Sequence, residues 1–180
     1  MIAVENKRRK PDNILKDYAD AEIIDVTSKG NSPYVKFSPF YPIGNLPVPF
    51  SENVVAASVE GIWQGLKVFE TEDVDVSKFQ ITNMKGLKRT VRKFGKPKGH
   101  RVGVNGIELL DYITARHKIY VPTYNWVLEN KLQKELELLA EIAKKKTLVL
   151  LDYETNEDVN NPAKPLSHAS LVKKKLESMR

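Results

Sequence analysis

The sequence predicts an α+β fold, a mostly helical single domain with a small sheet. Three observations predict it. Apolar residues recur at helical spacing over residues 58–69, 123–142 and 167–176. Short apolar runs at 22–27 and 148–151 read as strands. No internal repeat or clear linker divides the 180 residues, a length suited to one continuous core.

Composition narrows the class. A hydrophobic content of 41% and a charged content of 29% suit a globular protein. No apolar run approaches the roughly 20 residues needed to cross a bilayer, so no membrane partner is expected. The N-terminal MIAVENKRRK has no apolar stretch behind its basic residues, which is not a secretory pattern, and a cytoplasmic location is expected. The absence of cysteine excludes disulfides and thiolate ligands. His100, His117 and His168 lack metal-site spacing, so no metal is expected. The net charge of +6, with a pI of about 9.3, points to anionic partners: nucleotides, nucleic acids or polyphosphates.

Along the chain, residues 1–10 read as a flexible basic arm ending in Lys7-Arg8-Arg9-Lys10, leaving 11–180 as the domain. Pro11 opens a short helix that turns Ile14, Leu15 and Tyr18 inward. Residues 22–27 and 33–37 read as two strands of a hairpin across Ser28-Lys29-Gly30-Asn31. Five of the ten prolines then fall between Pro33 and Pro49, interleaved with Tyr34, Phe37, Phe40 and Tyr41, which makes a stiff loop. Its aromatic rings either stack a base or ribose or cap the core.

The stretch SVEGIWQGLKVF, Ser58 to Phe69, follows as a helix. Val59, Ile62, Trp63, Leu66 and Phe69 share an apolar arc, and Glu60, Gln64 and Lys67 form a polar line beside Trp63. Gly61 and Gly65 each cost about 1 kcal/mol against alanine in a helix, which asks for close approach by a backbone or a ligand. The acidic residues Glu70, Glu72, Asp73 and Asp75 read as a solvated loop.

From Lys85 to Arg101 come eight cations in seventeen residues with no acid among them. Lys88, Arg89, Arg92, Lys93 and Arg101 are the phosphate-binding candidates, for a pyrophosphate or a nucleic-acid backbone. Asn105 and Glu108 have capping-box spacing for a helix through Leu109, Leu110 and Ile113. Residues 119–121 read as extended up to Pro122. Thr123 then caps a long helix that buries Val127 or Leu128, Leu132, Leu136, Leu139 and Ile142. Leu148 to Leu151 read as a doubly buried strand delivering Asp152, Tyr153 and Glu154, and a last helix begins near Ser167.

The order Ser58, Glu60, Trp63, Gln64, Lys67 resembles the signature of the NADAR (YbiA-like) family, and Phe37-Ser38-Pro39-Phe40 looks like its Phe-Ser-Asn-Phe element. The resemblance implies a NADAR-like fold and an N-glycosidase acting on a phosphorylated ribosyl or ADP-ribosyl ligand, such as ADP-ribosylated guanine, with no cofactor. Such a reaction gathers positive charge on the ribose and negative charge on the departing base, so it calls for a carboxylate near the anomeric carbon and a donor near the base. Glu60 and, as a second carboxylate, Asp152 or Glu154 are the catalytic candidates; the block of substrate-binding candidates is Phe37, Ser38, Phe40, Trp63, Gln64, Lys67 and Trp126. The loop NEDVNNPAKPLSH departs from the family in lacking Trp-Gly and in carrying His168, so leaving-group recognition is where this chain differs. A non-catalytic ADP-ribose-binding module and a nucleic-acid-binding protein are the alternative readings.

Overall fold

The structure is a computed structural model that describes residues 1–179. Its first half carries β1 (Ile2–Asn6), α1 (Pro11–Asp17), β2 (Glu22–Asp25), β3 (Leu46–Pro47), β4 (Val55–Ala56), α2 (Val59–Leu66) and β5 (Lys67–Phe69). Then come α3 (Val91–Phe94), β6 (Pro97–Arg101), β7 (Leu109–Leu110), α4 (Tyr112–Ala115), α5 (Val121–Asn130), α6 (Gln133–Lys145), β8 (Leu148–Asp152) and α7 (His168–Ser178). The class is α+β, with small sheets. No helix of the described residues is long and apolar enough to cross a membrane. The chain forms two compact units: residues 1–38 with those from Trp126 onward, and Pro39–Asn125.

The first unit is built on a parallel sheet in the order β1-β8-β2. The expectation for β8 holds: Leu148, Val149 and Leu150 are fully buried, as a central parallel strand requires. Two local expectations give way to it. Residues 2–6 are not a free arm but an edge strand, running from Ile2 opposite Leu148 to Asn6 opposite Asp152. Residues 22–25 do not fold back on 33–37; they pair with β8, and Tyr34–Phe37 is a single 3-10 turn. In both cases the apolar face of β8 offers more burial than a solvated arm or an isolated hairpin. Ile14 of α1 is fully buried, whereas Leu15 is 41% exposed and points outward.

The expected long helix is two helices. α5 ends at Asn130 and α6 starts at Gln133, with Leu132 fully buried at the break. Residues 119–121 are helical rather than extended, in a π turn over Arg116–Tyr120 that runs into α5. Pro122 follows directly on that π turn, where the regular ladder of helix hydrogen bonds is already interrupted. α7 begins as expected, capped by Ser167, whose Oγ accepts from the Ser170 N–H at 3.2 Å.

The second unit holds β3 paired with β4 and an antiparallel sheet in the order β5-β6-β7. The capping box at Asn105 does not form. Leu109 and Leu110 pair with β6 instead, and the cap moves to Asp111, whose Oδ1 accepts from the Ile113 and Thr114 N–H groups at 3.0 Å each.

Candidate functional site

The polar line of α2 is the centre of the site, and its local chemistry explains its placement. Ser58 caps the helix, its Oγ accepting from the Gly61 N–H at 3.0 Å, while the Pro39 carbonyl accepts from the Glu60 N–H at 2.8 Å. The two glycines answer to protein, not to a ligand. A Cβ on Gly61 would lie 2.7 Å from the Lys78 carbonyl oxygen, and one on Gly65 would lie 2.2 Å from the Phe79 ring. The 3-10 turn Val76–Gln80 therefore packs flush against α2. The helix stops at Leu66, three residues early, so that Lys67 opens β5 instead of finishing the helix.

Glu60 and Gln64 are 8% and 6% exposed. Gln64 donates from Nε2 to Glu60 Oε1 at 2.9 Å, and its Oε1 accepts from the Arg89 N–H at 3.0 Å, so the amide is held from both ends. Lys67 is half-buried. Its ammonium forms no ion pair and donates no hydrogen bond among the described residues. Burial pushes its pKa down; the Glu60 charge pulls it back up through space and the Arg89 charge lowers it again.

His100 completes this group. It is the strand partner of Lys67 across the β5-β6 pair, and its ring lies 3.7 Å from that of Trp63, centroid to centroid. Only 2% of it is exposed, and neither ring nitrogen has a hydrogen-bond partner. Burial, helped by the Lys67 charge, pushes its pKa down to about 3. The Trp63 backbone lies near enough to oppose this slightly but outside hydrogen-bond geometry. Trp63 also meets Tyr120 edge-on at 5.6 Å and Tyr112 at 6.0 Å, and the buried Arg116 lies 4.3 Å over the Tyr112 ring and donates to its hydroxyl at 2.7 Å.

The phosphate-binding candidates separate into two sets. Arg89 is 5% exposed and braces the fold: its guanidinium donates to the carbonyls of Gln64 (3.2 Å), Lys67 (2.5 Å) and Asp73 (2.8 Å) and lies over Phe69 and Phe94. Arg101 is taken up by a two-pronged pair with Asp73 at 3.0 and 2.6 Å and by the Ile107 carbonyl. It lines an open hollow of ≈ 430 Å³ with Asp73, Val74 and residues 104–107, none of them from the Glu60 line. These two corrections have one cause: a guanidinium with backbone carbonyls or a carboxylate in reach spends its terminal N–H groups internally, although the buried Arg89 Nε meets no acceptor. Lys88, Arg92 and Lys93 are exposed, as are Lys85, Lys96 and Lys98, and none of these six forms an ion pair among the described residues. Lys88 lies 5.5 Å over the half-buried Phe40 ring.

Phe37, Ser38, Trp126 and Asp152 belong to the first unit, whereas Phe40, Glu60, Trp63, Gln64 and Lys67 belong to the second. Phe37 is fully buried, a core position rather than a ligand wall. Ser38 is 4% exposed, and Trp126 is half-buried under the Lys131 ammonium. Asp152 has a structural task. Its Oδ1 accepts from the Tyr153 N–H at 2.7 Å, and its Oδ2 accepts from Ser167 Oγ at 2.8 Å and pairs with His168 Nδ1 at 2.9 Å. The other nitrogen of His168 meets the Val26 carbonyl at 2.9 Å. Burial alone would drive Asp152 up and His168 down; their mutual charge and hydrogen bonds win and hold Asp152 below, and His168 above, its ordinary value. A carboxylate held in this way braces the start of α7.

His100 is the residue that sequence reasoning missed. Its role depends on facing Lys67 across two strands, a pairing invisible in local pattern. A family model described as a family of unknown function, DUF6939, matches residues 6–172 of the chain. Searches of curated proteins and of solved structures return no match.

Proposed function

On the premise that this chain belongs to the DUF6939 family, we propose that it is an N-glycosidase-like hydrolase with a NADAR-like fold. Its substrate is a phosphorylated ribosyl or ADP-ribosyl compound, ADP-ribosylated guanine among the candidates, and its location the cytoplasm. One observation carries the reading. Glu60 is a nearly buried carboxylate clamped by Gln64, and Lys67, directly after α2 at the start of β5, is a half-buried ammonium that feels the Glu60 charge and forms no ion pair among the described residues. Such a carboxylate is pre-aimed. In this mechanism Glu60 orients water and stabilises the ribose as the glycosidic bond opens, Gln64 fixes the Glu60 carboxylate, and Lys67 holds the anionic end of the substrate. Lys88, Arg92 and Lys93 meet further phosphates.

The test is release of free base from a panel of N-ribosyl phosphates and ADP-ribosylated guanosine, read by chromatography. Glu60→Gln is expected to lower turnover by about 10²-fold or more with little change in binding. Equal turnover in wild type and variant contradicts the glycosidase reading; binding without turnover in either supports the non-catalytic module instead.

The six exposed, unpaired cations between Lys85 and Lys98 favour nucleic acid as a second candidate partner. Contacts to about six phosphates would weaken roughly 10³-fold between 50 and 200 mM salt, whereas closure around a small ligand would not.

A further inference from the structure

We propose that the His100 imidazole is the hydrogen-bonding partner of the departing base. The inference rests on the glycosidase reading and supplies what that reading lacks, a group to receive the leaving half of the substrate. Three observations carry it. Both ring nitrogens are buried and make no hydrogen bond of good geometry within the chain, the Trp63 backbone being near the ring but out of line. A buried polar atom left unpaired is costly, and an apolar ring of similar shape in its place would cost less, so its presence points to a partner that arrives from outside the chain. The ring lies against Trp63, the residue before Gln64, and opposite Lys67 on the neighbouring strand, whose charge acts on it. Lastly, with its pKa near 3 the imidazole is neutral at working pH and so presents one N–H donor and one lone pair.

The chemistry follows from that neutral ring. When the bond between the anomeric carbon and the base nitrogen breaks, its electron pair leaves on the base. The hydroxyl of water joins the anomeric carbon, and the water proton passes by way of Glu60 to the base. His100 keeps its own proton throughout. Its N–H donates to a ring-nitrogen or carbonyl acceptor of the base, where the negative charge collects, and so strengthens as cleavage proceeds. The class of leaving group is thus a heteroaromatic base with an acceptor on its edge.

The test uses the full chain with the four 5′-ribonucleotides and nicotinamide mononucleotide as base-bearing probes and ribose 5-phosphate as the base-free control. Affinity is read by calorimetry, and the imidazole nitrogens by ¹⁵N NMR. At least one base-bearing probe is expected to bind more tightly than ribose 5-phosphate and to shift the His100 nitrogen resonances. His100→Phe is expected to remain folded, to lose about tenfold in affinity for that probe and to leave ribose 5-phosphate affinity unchanged. Equal loss for both ligands, unmoved resonances, or no probe better than ribose 5-phosphate would overturn the assignment. If ribose 5-phosphate binds and Glu60→Gln abolishes turnover while His100→Phe changes nothing, the glycosidase reading stands and this assignment alone falls.

Discussion

His168 and His100 are both nearly buried, at 7% and 2% exposure, and the two units treat them in opposite ways. His168 has an acceptor at each nitrogen, the Asp152 carboxylate and the Val26 carbonyl, and is held as a cation. His100 has a partner at neither nitrogen and is held neutral. The same side chain is a closed brace in one unit and an open hydrogen-bonding group in the other. Saturation separates them: a polar group whose valences are filled by the chain maintains the fold, and one left open is available to a ligand.

The sharpest way to break this comparison is to remove each ring. His168→Phe leaves the Asp152 carboxylate buried and unpaired, and a loss of about 3–5 kcal/mol in urea-unfolding free energy is expected. A loss below about 1 kcal/mol would show that the pair contributes little.

Acid separates the two rings next. The raised pKa of His168 makes its contribution complete below the ordinary imidazole value of 6.5 and lost as pH climbs through the raised value. Asp152, held low, contributes above its ordinary 3.8 and fades as pH falls through the depressed value, so the pair is strongest between those limits. His100 runs the other way: the fold favours its neutral form, so stability declines as pH drops below 6.5 toward about 3. Between pH 7 and 5 its cost should reach about 2 kcal/mol, read as a fall in melting temperature that His100→Phe abolishes. An unchanged slope in that variant would contradict the open-ring account.

Packing behind the Glu60 line gives a comparable effect. Gly65→Ala drives a methyl group into the Phe79 ring, and a destabilisation of about 1–3 kcal/mol is expected in thermal unfolding. The smallest effect belongs to His100→Phe at pH 7, where stability should hold or rise by up to about 1 kcal/mol because two unpaired nitrogens disappear. A marked loss there would mean that the nitrogens are satisfied in the folded protein.

What was legible in the sequence was local. Ser58 and Ser167 announce their helices because a cap and an apolar arc lie within a few residues, and Leu148–Leu151 declares a buried strand by itself. β1 escaped because its partner lies at the other end of the chain, and the charged residues after it look like a solvated arm. Gly61 and Gly65 revealed a close approach but not its agent, the Lys78 carbonyl and the Phe79 ring, which come from a turn some fifteen residues on. Within the run from Lys85 to Arg101, composition could not tell the braced Arg89 from the exposed Lys93, since only tertiary carbonyls and Asp73 decide which fork is filled. Glu60, Gln64 and Lys67 were readable as a line, although their burial was not: a polar line beside an apolar arc has the same spacing on a wet face as on a covered one.

The most direct test of the Glu60 proposal is a crystal structure of the protein soaked with ADP-ribose. The account predicts the anomeric carbon of the terminal ribose about 3–3.5 Å from a Glu60 carboxylate oxygen or from a water bound to it. A terminal ribose seated elsewhere, with Glu60 still bonded only to protein, would contradict it.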